Sequence, residues 1–129
     1  MGKLVDNAVL DAALSYIKNN AVKMTACEGA PTTYEHANSE KGTGTGKALA
    51  DVTMGTGDFV IANDTSGRKV TLGQKADVTI DVTGDADHVA LIDTSEEVLL
   101  YVTTCTQQTL TAANAFTFPS WVISIADPT

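Results

Sequence analysis

From residue 47 to the end of the chain, short segments rich in Val, Ile, Thr and Leu alternate with clusters of Gly, Asp, Asn and Ser. Branched side chains have few rotamers and pack well on a pleated surface, while the small polar residues form turns. The rhythm therefore predicts an antiparallel meander, sandwich or barrel. Strands are expected over 48–54, 59–62, 69–72, 76–83, 88–92, 98–104 and 116–125. Gly55-Thr56-Gly57, residues 63–67, Gly84-Asp85-Ala86-Asp87 and residues 93–97 read as the turns between them. The clearest alternation places Ala76, Val78, Ile80 and Val82 toward a core and Asp77, Thr79, Asp81 and Thr83 toward solvent.

One helical signal precedes this region. Over 6–19, Asp6 or Asn7 caps the start, and Leu10, Ala13, Leu14 and Ile17 recur at i, i+3, i+4 and i+7, with Val9, Ala12 and Tyr16 widening the stripe. Such a stripe must be covered, either by the domain's own sheet or by a neighbouring subunit. Residues 21–27 read as a first strand. Residues 28–46 form a polar connector with Pro31, a turn of helix near 33–37 and the flexible run Gly42-Thr43-Gly44-Thr45-Gly46. The expectation is one α+β, mainly β domain over residues 1–129, an amphipathic helix followed by an antiparallel β-sandwich or barrel. At 129 residues such a domain buries roughly two-thirds of its unfolded surface, enough for a core without metals or disulfides.

Sixteen acidic against eight basic side chains give a formal net charge of -8, and the basic residues stand singly except for Arg68-Lys69. That pattern argues against nucleic acid, which needs a clustered cationic footprint. No apolar run approaches the roughly 20 residues of a membrane span, and Met1-Gly2-Lys3 leads into the helix instead of a signal sequence, so a cytoplasmic site of synthesis is expected. Cys27 and Cys105 lack the spacing of redox or zinc pairs and read as free thiols.

No pattern supports catalysis or a cofactor. Residues 42–47 resemble a phosphate loop only superficially, since Lys41 occupies its first glycine position and Ala48 its magnesium-binding hydroxyl position. Asp81, Asp85, Asp87 and Asp93 lack the glycine and closing glutamate of a calcium loop and read as strand-end turn residues. His36 and His88 have no nucleophile in a recognisable elbow nearby in sequence. The aromatic group Phe116, Phe118 and Trp121 reads as core or subunit packing.

The order of segments is familiar. The helix Asp6-Asn7-Ala8-Val9-Leu10-Asp11-Ala12-Ala13-Leu14, the stretch Glu28-Gly29-Ala30-Pro31-Thr32-Thr33-Tyr34 and Thr65-Ser66-Gly67-Arg68-Lys69-Val70 resemble a family of small tailed-bacteriophage virion proteins. So do Asp87-His88-Val89-Ala90-Leu91-Ile92-Asp93, the run from Gln107 to Thr117 and the closing Ile125-Ala126-Asp127-Pro128-Thr129. The resemblance implies a capsid decoration or cement protein on the virion surface. Its partners would be the major capsid protein and further copies of itself, most simply as a trimer around local three-fold axes. The resemblance brings no catalytic residue, cofactor or metal. Leu10, Leu14, Ile17, Phe116, Phe118 and Trp121 are the expected subunit or capsid contacts. A head-completion or tail component, or a small ligand- or glycan-binding β module, is the alternative.

Overall fold

The computed structural model describes residues 3–128. Helix α1 (Asn7–Asn20) starts where the Asp6 carboxylate accepts a hydrogen bond from the Ala8 N–H at 2.8 Å, satisfying a donor the first turn cannot pair. Strand β1 (Lys23–Cys27) follows, then a short helix α2 (Tyr34–Asn38) capped by the Thr33 hydroxyl. The rest is strand: β2 (Ala48–Thr53), β3 (Phe59–Asn63), β4 (Arg68–Leu72), β5 (Lys75–Thr79), β6 (Gly84–Asp93), β7 (Val98–Leu110), β8 (Ala115–Phe118) and β9 (Trp121–Ile125). The fold is α+β and mainly β, with all strand pairings inside the sheets antiparallel, as the sequence leads one to expect.

Three sheets share one core. The largest has the order β2-β1-β6-β7, the second β3-β4-β9, and β5 pairs with β8. Ile80, just beyond β5, bridges Ala50 of β2, so the small ribbon continues the course of the large sheet. Met24, Leu49, Leu91, Phe59, Val70, Leu72, Ile123, Val78 and Phe118 meet in the interior, together with Leu14 of α1. The opposite face of the large sheet is covered by α2, where Ala37 packs on Ala90 and Ile92. This double cover explains why Met24 to Cys27 are buried without alternation.

Helix α1 lies against β3 and β4. Leu14 is fully enclosed and Leu10 nearly so, and Ile17 packs at the core's margin. The chain's own sheet therefore covers Leu10 and Leu14, which corrects the expectation that they contact another subunit, while Val9, Ala12, Ala13 and Tyr16 of the same stripe stay exposed. An ion pair fixes the helix: Arg68 Nε donates to Asp11 Oδ1 at 2.7 Å and Nη2 to Oδ2 at 3.3 Å, while Nη1 donates to Asn63.

Other expectations shift locally. Residues 84–87 are the start of β6, not a turn. The 116–125 segment is two strands in different sheets, divided at Pro119-Ser120, where Pro119 offers no N–H to a ladder. The alternation over 76–83 breaks at its start: Asp77 adopts φ 56°, the register shifts between Lys75 and Val78, and Ala76 is exposed. Cys27 and Cys105 are both free, the first buried and the second exposed.

Candidate functional site

The strand ladder continues from β8 through β5, β2, β1 and β6 to β7, and there it stops. Between β7 on one side and β8 and β9 on the other lies a groove. Its two adjoining cavities, of about 260 and 270 Å³, have Val89, Cys105, Phe118 and Pro119 in common and therefore form one continuous seam. Phe116 and Leu110 line one end, and Trp121 and Val122 the other. Tyr101 of β7 packs on Trp121 of β9 with ring centroids 5.9 Å apart, which joins the two layers at the Trp121 end. Phe116 and Phe118 pack at 4.7 Å. Trp121 Nε1 is enclosed and has no hydrogen-bond partner among the described residues, so a donor is held out of water without an acceptor.

The far edge of β7 is unpaired in the sheet order, and its residues Thr104 to Thr109 are exposed. The other outer edge of the large sheet is occupied: Ile80 bridges Ala50, and the N–H groups of Asp81 and Val82 donate to the Leu49 carbonyl. Charged side chains usually protect a long open edge. Here residues 98–126, which contain all of β7, β8 and β9, include no Asp, Glu, Lys, Arg or His. Every charged side chain of a chain that is 19% charged lies outside that run. The exposed surface along the seam is instead Thr, Gln, Ser, Ala and Pro with Val122.

The aromatic group, read from the sequence as lying on one final strand, is divided between β8 and β9 along the seam. Phe118 is buried core, whereas Phe116 and Trp121 are half-buried at the seam. Leu10, Leu14 and Ile17 lie elsewhere, against β3 and β4. The residues sequence reasoning missed are the polar ones, Thr104, Thr106 and Gln108, with Cys105 among them. The signal that would have found them is the absence of charge over 98–126, visible without any structure.

The candidate catalytic and metal residues have structural partners. Asp87 accepts from the Gly29 N–H at 2.8 Å and contacts His88 Nδ1 at 2.7 Å; the His88 contact and then the Gly29 hydrogen bond hold its carboxyl below the usual range. Glu28 accepts from the Asp85 N–H and pairs with Lys41 at 2.7 Å, which lowers its carboxyl likewise. Asp85 accepts from the Thr109 hydroxyl, and Asp93 caps the turn before β7. Among the described residues no three His, Cys, Asp or Glu side chains group as a metal site. His36 is bonded to Thr32 within the connector.

Cys27 stands opposite His88 in the β1–β6 register. It is fully buried, and burial pushes its thiol above the ordinary value, the direction opposite to activation of a nucleophile. Cys105 in the seam is also raised, first by partial burial and then by the Asp87 carboxylate.

The seam offers an apolar floor, an open strand edge and a rim of hydroxyls and amides, and no Asp, Glu, Lys, Arg or His lines its two cavities. No helix among the described residues is long and apolar enough to cross a membrane. Compared with known proteins, the chain matches no family model, no curated relative and no solved structure.

Proposed function

We propose that this protein is a capsid decoration protein of a tailed bacteriophage, binding the outer surface of the head as an oligomer and stabilising the shell through contacts with the major capsid protein. The observation that carries the reading is the charge-free seam along β7, β8 and β9. Interface cores are depleted of charge and enriched in aromatic side chains, and this seam has Phe116, Phe118 and Trp121 along it, with the Trp121 N–H lacking an acceptor among the described residues. The segment-by-segment likeness to small virion proteins supplies the particle. Repeated over many lattice positions, weak contacts sum to avidity, and a site shared by several coat subunits exists only on the assembled shell.

The test is sedimentation of the purified protein with undecorated, expanded heads, followed by copy counting in electron microscopy. Binding in many copies, with weaker binding to free coat subunits, is expected. Saturation at about one to a dozen copies would place the protein at the portal or tail instead. The two adjoining cavities favour a second reading, a small apolar-ligand module, although each lies just below the usual size of a ligand pocket. Absence from the pellet together with a ligand-induced rise in melting temperature would support it.

A further inference from the structure

We infer that the seam is where a second copy of this chain docks, across a two-fold axis running beside the open edge of β7. The inference rests on the reading of the seam as a protein interface, and it specifies the partner.

Charge selects the occupant. Each copy carries a formal charge of -8, so two copies approaching by most faces set acidic side chains against acidic side chains. The face built by residues 98–126 is the broad exception, since it contributes no ionisable Asp, Glu, Lys, Arg or His to the contact. A charged face complements only its opposite, whereas hydroxyls and amides both donate and accept hydrogen bonds. A rim of Thr104, Thr106, Gln108 and Thr117 therefore complements a copy of itself.

Topology suits a two-fold. Such a contact uses one patch twice, as the seam allows, while a ring of three needs two different patches. The exposed apolar side chains Leu4, Val9, Tyr16 and Val60 lie apart from the seam, on and beside α1 and β3. Antiparallel approach of two β7 edges sets directly opposed residues on the same face of a joined sheet, successive side chains alternating between its two faces. The two grooves then open toward each other, and Val122 and Pro119 of each copy close them. Cys105 lines both cavities of the seam, and the docked arrangement covers it. The geometry departs from the trimer that the family likeness implies, so molecular mass alone separates the two.

The experiment is sedimentation equilibrium of the full chain over a wide concentration range, with Val122→Asp, Thr106→Asp and the control Thr53→Asp. Thr53 is exposed on β2, and its substitution adds the same charge away from the seam. The expected result is a monomer–dimer equilibrium weakened at least tenfold by Val122→Asp and by Thr106→Asp, and much less by Thr53→Asp. Alkylation of Cys105 in the native wild-type protein should slow as concentration rises and the dimer forms. That second readout needs no variant and stands even where a substitution disturbs folding.

A chain that stays monomeric with concentration-independent alkylation overturns the inference. So does an oligomer equally sensitive to Thr53→Asp, or a trimer. A monomer that still decorates heads, and loses that binding in Val122→Asp, would leave the decoration reading intact and give the seam to the coat protein. A dimer through the seam that ignores heads would do the reverse.

Discussion

Leu14 is fully enclosed where α1 meets the sheets, so Leu14→Ala is expected to cost about 2–5 kcal/mol, the usual loss for an aliphatic side chain that leaves a cavity behind. Exposed Asn19→Ala on the same helix should stay within about 0.5 kcal/mol, and thermal melts of the two variants check the difference. Asp81 responds in the opposite direction. Burial and then the carboxylates of Asp51 and Glu40 raise its carboxyl above the usual value, so its ionised form opposes folding. Asp81→Asn should therefore raise the melting temperature near neutral pH, and the gain should vanish near pH 3, where the aspartate is protonated in both states. A gain unchanged in acid would show that charge is not its cause. Gly67 has a φ of 78°, and a Cβ there would collide with the Ile125 carbonyl, so Gly67→Ala should loosen the β4–β9 pairing. The apolar stripe of α1 was legible in the sequence because helical spacing alone fixes which residues share a face. Asp77 was not, because an aspartate in the left-handed region looks the same in sequence as one facing solvent from a regular strand.

Arg68 links the helix to the sheet from far along the chain, and this kind of pairing carries no local signature. A double-mutant cycle on Asp11 and Arg68 is expected to give a coupling of about 1 kcal/mol, as suits a half-buried, two-pronged pair; additive single losses would mean that α1 is held by packing alone. The strands were readable wherever turn residues bounded branched ones, as with β3 and β4. They were misread where tertiary contacts overrode composition. Gly84 to Asp87 has the makeup of a turn, yet Glu28 accepts the Asp85 N–H and Leu49 packs so close to Gly84 that a Cβ would lie 2.8 Å from its Cδ2. Glycine there serves close approach within a strand, not a reversal of the chain. The division of 116–125 was in plain view at Pro119, whose missing N–H ends a ladder, but the aromatic and branched residues on both sides outweighed it. The seam depends on that division, because β8 and β9 join different sheets and leave β7 without a neighbour.

At the scale of the whole molecule, acidity governs both stability and association. Glu28 and Asp87 are held below the usual carboxylate range by hydrogen bonds and their cationic or histidine partners. Asp58 is also held low, since Lys75 and the Gly55 N–H outweigh the upward push of burial. Depressed carboxyls contribute stability that is full above their unfolded values, near pH 4, and is lost as pH falls through their folded values. The melting temperature should therefore drop in acid, and Asp87→Asn should flatten that drop. Association through a charge-free face should depend on salt in a diagnostic way. Two copies at -8 repel one another over the Debye length, which shrinks from about 30 Å at 0.01 M to about 8 Å at 0.15 M ionic strength. Screening weakens this repulsion, while contacts among Thr, Gln and apolar side chains have no ion pairs for salt to weaken. Self-association measured by sedimentation equilibrium should therefore tighten as salt rises over that range. An interface held by ion pairs would loosen instead, and that result would move the contact away from residues 98–126 to the charged remainder of the surface.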